Sequence, residues 1–275
     1  MSTPVIDFHI HTVFYEQQNE SYIDFVTKVL GEERWGFLFN RYQDSGLFCE
    51  FLQECGIDYG VILAELTPAV TGICTNEHIL EFCRGRSNLI PFASINPALT
   101  SNMGAEMERL YGLGFRGLKL YPTYQFFYPN DNALYPLYST VEKLQIPVMF
   151  HTGSSVFRGT RLKYGDPLLF DDLAVDFPGM NILLVHGGRG FWYDSAFFLS
   201  RLHKNVYLEI AGLPPDKLLT YFPEMDKIPD KIIFGSDWPG VSDLKKNVET
   251  IKRLPLPEDT KEKILGGNAA RLLRI

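Results

Sequence analysis

Positive charge is what this chain is short of. Its 26 lysines and arginines are outnumbered by 33 aspartates and glutamates, leaving a formal net charge of −7. Without a basic cluster the electrostatic footprint of a nucleic-acid binder is missing, and no nucleic-acid partner is expected. Cysteine is also scarce. Cys49, Cys55, Cys74 and Cys83 all lie in the first third, and none forms a CxxC pair. This usage supplies no disulfide framework and points to reduced, mostly buried thiols. Cys74, His78 and Cys83 are close in sequence, but their spacing matches no standard zinc pattern.

Long apolar runs are lacking too. None approaches the roughly 20 residues of a membrane span. The opening stretch MSTPVIDFHIHT has no basic segment followed by an apolar one, so it does not read as a signal peptide. A soluble cytoplasmic protein with no membrane partner is expected. GxGxxG is absent after the first strand, which removes the signature of a dinucleotide-binding open sheet. No composition break marks a second domain, so residues 1–275 are expected to form one.

What is present is a repeat of short β-rich runs alternating with amphipathic stretches. The strand candidates are residues 5–10, 59–64, 89–95, 115–121, 147–151, 181–186, 205–211 and 231–236. Helix candidates are 45–56, 76–86, 103–114, 134–145, 167–179, 193–204, 215–222 and 242–254, with a helical tail at 258–275. Alternation demands parallel pairing through helical crossovers. Eight repeats, in a chain close to the roughly 250 residues typical of the fold, predict an α/β protein of the (β/α)8 TIM-barrel type. One connection is irregular. About thirty residues, rich in aromatics, separate the first strand from the first good helix, far more than a usual βα loop. They are expected to hold a short helix near 21–30 and to form a lid-like loop over the barrel mouth.

In a barrel the reactive groups sit at the C-terminal ends of strands. His9 and His11 end the first, His151 the fifth, His186 the sixth, and Asp237 follows the eighth. His78 and His203 fall in helices and read as ordinary surface or groove residues. Strand side chains alternate, so His9 and His11 share a face and can grip one ion. His151 adds a nitrogen from across the barrel and Asp237 an oxygen. Three imidazoles and a carboxylate suit zinc, with manganese, iron and cobalt as alternatives.

These stretches, IDFHIHT, FHTG, VHGG and FGSDWP, together with the ending GNAARLL, resemble the amidohydrolase-related family of the metal-dependent hydrolase superfamily. The likeness spans nearly the whole chain. It implies a metal-dependent (β/α)8 barrel that hydrolyses C–N or C–O bonds or decarboxylates without an oxidant. It implies His9, His11, His151 and Asp237 as ligands of a catalytic ion, most often zinc, with His186 beside the open coordination position. Asp7 matches the family's acid before the HxH pair. It is expected to face the same way as His9, either orienting a ligand or bonding to backbone.

Lys119, in GLKLYP, is ambiguous. In several relatives a lysine here is carboxylated and bridges two ions; unmodified, it could instead pair with a substrate carboxylate. One ion per chain is favoured over two. Arg158, Arg161 and Arg189 follow strands five and six, and arginine forks bind carboxylates bidentately. Tyr121, Tyr124, Trp192 and Trp238 are candidates for aromatic pocket walls, with Trp238 best placed. The leading expectation is a hydrolase in which Asp237 serves as base and His186 polarises the substrate or shuttles a proton. The alternatives are a nonoxidative decarboxylase and a barrel that binds a small molecule without turning it over. The partner expected is a small-molecule substrate. A homodimer is a further expectation, though no self-complementary surface reads from the residues.

Overall fold

A computed structural model of the chain describes residues 3–241 and 243–275. All eight expected strands are found: β1 (Ile6–Ile10), β2 (Tyr59–Leu63), β3 (Leu89–Ser94), β4 (Leu118–Leu120), β5 (Val148–His151), β6 (Ile182–Val185), β7 (Val206–Glu209) and β8 (Ile232–Ile233). Each pairs in parallel with the next in chain order. The ends of this sheet meet. Phe8 N donates to Phe234 O at 3.0 Å, Asp237 N to His9 O at 2.9 Å and His11 N to Trp238 O at 2.8 Å. These bonds satisfy edge groups that an open sheet would leave exposed, and they make the sheet a barrel.

Period-two alternation sorts the strand residues into two cores. Val61, Leu63, Ile90, Phe92, Met149, Leu183, Val185, Tyr207 and Ile233 fill the barrel interior, where Ala269 and Leu272 of the closing helix Asn268–Leu273 pack against them. The alternate residues, such as Ile62, Leu118, Val148, Phe150, Leu184 and Leu208, pack outward against helix residues such as Leu52, Leu110, Leu137, Phe170 and Leu199. Burying each such side chain is worth about 1.5–3 kcal/mol. Side-chain oxygens of Asp44, Thr75, Asn102 and Asp243 cap four of the outer helices, accepting from backbone amides of the first turn. The expected helix 242–254 opens on Ser242, outside the described residues, and is seen as Leu244–Lys252.

β1 departs from regular alternation. Asp7 pairs with Gly60 and Ile10 with Ile62, so three steps on one strand match two on its neighbour. This is the signature of a β-bulge. Ile6 and Phe8 join the interior core, whereas Ile10 joins the outer one. The extra residue thus switches parity within the strand and lets His9 and His11 face inward above Phe8.

The segment after β1 is more structured than expected. It holds two helices, α1 (Glu20–Leu30) and α2 (Glu32–Tyr42), where one short helix was predicted. A small antiparallel sheet of Gln17–Gln18, Gly72–Cys74 and Glu65–Thr67 anchors its start. Tyr22 and Phe25 of α1 lie against Phe157 with ring centroids 6.3 and 4.9 Å apart, and Asp24 pairs with Arg158. Arg158 therefore ties α1 to the loop after β5. Among the described residues no helix is long and apolar enough to cross a membrane.

Candidate active site

A cavity of about 240 Å³ opens at the C-terminal ends of the strands. His9, His11, Lys119, His151, His186, Arg189 and Asp237 form its floor and flank, and Tyr22, Phe25, Val26 and Phe157 are among its apolar wall. The barrel thus brings together residues that stand up to 228 positions apart, from His9 to Asp237 (237 − 9).

The ring nitrogens are turned by specific partners. His11 Nδ1 lies 3.3 Å from Glu65 Oε2, and His186 Nδ1 lies 2.7 Å from Ala211 O. His9 Nδ1 lies 3.5 Å from Glu209 Oε2. A carbonyl oxygen can only accept, so His186 carries its proton on Nδ1 and leaves Nε2 bare; a carboxylate does the same for His11. Across the site, His9 Nε2 is 3.3 Å from His11 Nε2 and 3.3 Å from Asp237 Oδ1, and His11 Nε2 is 3.6 Å from the same oxygen. Three electron-pair donors facing one another are mutually repulsive unless a cation sits among them. Ligand bonds of about 2.0–2.2 Å in a tetrahedron place donor atoms about 3.3–3.6 Å apart, so this set fits a divalent ion. His151 Nε2 is buried and has no hydrogen-bond partner among the described residues, a second open acceptor in the same cavity. His9, His186 and Asp237 also offer ligand atoms that all lie within 4.8 Å of one another. His186 therefore stands within ligand range as well, its ring 4.7 Å from that of His151.

Burial is the largest influence on the four histidines, Asp237, Lys119 and Glu209. It lowers the imidazoles of His9, His11, His151 and His186, favouring the neutral form that can ligate. It raises Asp237, against the pull of His11, Arg189 and Lys119. It draws the Lys119 ammonium down to about 8 and pushes the Glu209 carboxyl up to about 8. Lys119 Nζ is buried without a hydrogen-bond partner among the described residues, 5.1 Å from the Tyr121 ring. His186 and Asp237 both hold positive φ, 63° and 70°. Such backbone is rare for side chains with a Cβ and concentrates at functional sites.

The other expected residues divide. Arg189 lines the cavity while its Nε and Nη2 donate to Ser154 O at 3.2 and 3.1 Å. Tyr121 and Tyr124 line it too, with hydroxyls bonded to Ala64 O and Ser155 Oγ. Arg161 does not reach the cavity: it is exposed, with its guanidinium 4.5 Å from the centre of the Phe126 ring. Trp238 is not a pocket wall. Its indole packs among Tyr42, Phe48 and Phe51 in the outer core. Trp192 packs edge-on against Phe191, away from the cavity lining. Asp7 does not face the way His9 does. Its Oδ1 accepts from His9 N and Ser236 N, the backbone alternative, and thereby ties β1 to the end of β8. Cys74 lies against Thr12 rather than in a metal cluster with His78 and Cys83, and His78 stacks on Phe14.

Residue reasoning missed Glu65, Glu209 and Tyr15. Glu209 accepts from His186 N and Ala211 N as well as facing His9, and Glu65 and Tyr15 stand behind His11. The signal was available. Each glutamate closes an apolar strand run, GVILAE and NVYLE, at an inward-facing position. A carboxylate there must find partners or carry a large desolvation cost.

Solved structures of other proteins share the fold. An uncharacterised TIM-barrel protein of Bordetella bronchiseptica is 24% identical over 98% of each chain, with a TM-score of 0.80. A 5-carboxyvanillate decarboxylase of Novosphingobium aromaticivorans, complexed with manganese and 4-hydroxy-3-methoxy-5-nitrobenzoic acid, is 14% identical over 99% of this chain and 96% of that one, at 0.69. A probable 2-pyrone-4,6-dicarboxylic acid hydrolase of Acinetobacter baumannii, with citric acid bound, is 19% identical over 98% and 99%, at 0.68. The sequence profile described as Amidohydrolase matches residues 6–275. With that match over nearly its whole length, the chain belongs to the amidohydrolase family.

Proposed function

We propose that this chain is a metal-dependent hydrolase that cleaves an amide, ester or lactone bond in a small cyclic or carboxylated molecule. One divalent ion, zinc or another, would be held by His9, His11, His151 and Asp237. The observation that carries this reading is the convergence of His9 Nε2, His11 Nε2 and Asp237 Oδ1 at separations of 3.3 to 3.6 Å. A divalent ion there would supply Lewis acidity, favouring attack by water near neutral pH.

The chain's own groups do the rest. Asp237 takes the proton released as water adds to the acyl carbon, since a carboxylate beside the attacking oxygen is a competent base. The bond from that carbon to nitrogen or oxygen breaks, and His186 passes the proton taken up by Asp237 on to the departing atom. The hydrogen bond from its Nδ1 to Ala211 O leaves Nε2 for that exchange. Arg189 and the unpartnered Lys119 Nζ offer positive charge to a substrate carboxylate. Tyr22, Phe25 and Phe157 pack over the ring and exclude water, so α1 acts as a lid.

A second reading is favoured by the same apolar wall. Tyr22, Phe25, Val26 and Phe157 suit the ring of an aromatic acid, the type of molecule bound in the Novosphingobium decarboxylase. In that case the bond from ring carbon to carboxylate breaks, carbon dioxide leaves, and a proton taken up from solvent by Asp237 or His186 passes to the carbon. The test is turnover of a panel of lactones, cyclic amides and aromatic carboxylates by zinc- and manganese-loaded protein in H₂¹⁸O. Hydrolysis adds one labelled oxygen to the product. Release of carbon dioxide without label in the product overturns hydrolysis in favour of decarboxylation. A protein that binds no metal and turns nothing over is a binding barrel.

A further inference from the structure

Glu65 ends the apolar run of β2, begins the small antiparallel sheet, and is buried behind His11. Every neighbour of its carboxylate can donate. Tyr15 Oη donates to Oε2 at 2.9 Å, and Thr67 Oγ1 donates to Oε1 at 2.9 Å. Thr71 Oγ1 also donates to Oε1, and His11 Nδ1 stands 3.3 Å from Oε2. Tyr15 Oη is in addition 3.4 Å from His11 Nδ1. With all other acceptor positions supplied by hydroxyls, the arrangement is satisfied only if His11 carries its proton on Nδ1. That leaves the Nε2 electron pair turned towards His9 and Asp237. The hydroxyl donors come from two places: Thr67 and Thr71 from the sheet, and Tyr15 from the segment leading to α1, where its ring lies 4.7 Å from that of Tyr22.

We infer that Glu65 is a positioning residue for the metal centre, setting the tautomer and orientation of His11, with Tyr15 linking that setting to the cavity wall at α1. This rests on the reading of His11 as a metal ligand. Partners of this kind behind a ligating histidine are worth about 10–100-fold in metal affinity. Glutamine at position 65 removes the negative charge and one acceptor oxygen. Its NH₂ group meets either the Nδ1 proton of His11 or the hydroxyls of Thr67 and Thr71, which must then turn to accept, so the hold on His11 is loosened in both orientations.

The test is zinc affinity by chelator competition, together with the visible spectrum of the cobalt-substituted protein, for wild type, Glu65→Gln and Thr67→Val/Thr71→Val. Glu65→Gln is expected to weaken zinc about 10–100-fold and to shift the cobalt bands. The double valine variant, which keeps the charge but loosens the carboxylate, is expected to weaken zinc by a smaller factor. In the zinc-loaded wild type, nitrogen-correlated NMR of the His11 ring should find the proton on Nδ1. A folded Glu65→Gln with wild-type affinity and an unshifted spectrum overturns the inference. If that variant does not fold, a His11 proton on Nε2 in the wild type overturns it equally. A wild type that takes up neither metal refutes the metal centre itself, a separate outcome.

Discussion

The backbone amide of Asp237 donates to the carbonyl of His9, 2.9 Å away across the seam where the last strand meets the first. Two potential ligands from opposite ends of the chain are therefore neighbours by virtue of barrel closure. The Asp237 side chain is not needed for that bond, and asparagine tolerates the positive φ of 70° found there. Asp237→Asn should keep the fold, with a melting temperature near wild type, and lose about 10²–10⁴-fold in turnover as the base is removed. His11→Ala should keep the fold and lose both turnover and bound metal, checked by elemental analysis. Saturating wild type with metal at 100 times its dissociation constant should add about 2.7 kcal/mol of stability, read as a rise in melting temperature that chelation reverses. Wild-type rates in either variant would reject these roles.

Gly212 sits at the centre of the site with φ of 67°. A Cβ built there would lie 2.7 Å from Asp237 Oδ2, 3.1 Å from Arg189 Nη1 and 3.4 Å from His186 Nδ1. Gly212→Ala should destabilise the chain by about 1–2 kcal/mol through left-handed backbone strain. The larger effect should be on turnover, because the methyl group displaces Asp237. Denaturant melts and kinetics on the same sample separate the two.

Phe157 holds α1 down through its contacts with Tyr22 and Phe25. The Arg158–Asp24 pair beside it is largely exposed on the arginine side and contributes little. Phe157→Ala should therefore speed amide hydrogen exchange across residues 22–30 and raise KM, while global stability falls by only about 1 kcal/mol. Exchange that quickens evenly over the whole barrel would refute a local role for this contact.

Burial raises all four thiols above their ordinary range, Cys55 to about 11, with Cys74 and Cys83 raised further than Cys49. A raised thiol is protonated at pH 8, and only the thiolate reacts. Native protein at pH 8 should react slowly with a disulfide reagent, Cys49 first because it is the one not fully buried. All four should react at once on unfolding. Prompt reaction of four thiols in the native state would contradict the burial described for them.

Much of this was legible beforehand. The apolar runs around residues 5–10, 59–64 and 181–186 could be placed as strands because period-two burial on both faces leaves only a buried parallel sheet. Strand-end histidines and Asp237 then followed from where such sheets present their ends. Asp7 and Trp238 were not legible in the same way. Their facing depends on the bulge in β1 and on the seam with β8, and both arise from pairing between strands remote in the chain. Arg161 was equally hidden: nothing in its neighbourhood distinguishes a guanidinium over Phe126 from one aimed at the cavity.

Alternation of apolar and polar residues, read by itself, determined the barrel, the rim on which the chemistry would lie and the identity of its histidines and Asp237. Local periodicity suffices for that, because it dictates which residues must leave water. Tertiary structure alone decided which nitrogen of His9, His11 and His186 faces the cavity, since that is set by Glu65, Glu209 and Ala211 O, partners 25 to 200 residues distant whose hydrogen bonds exist only once the strands have closed.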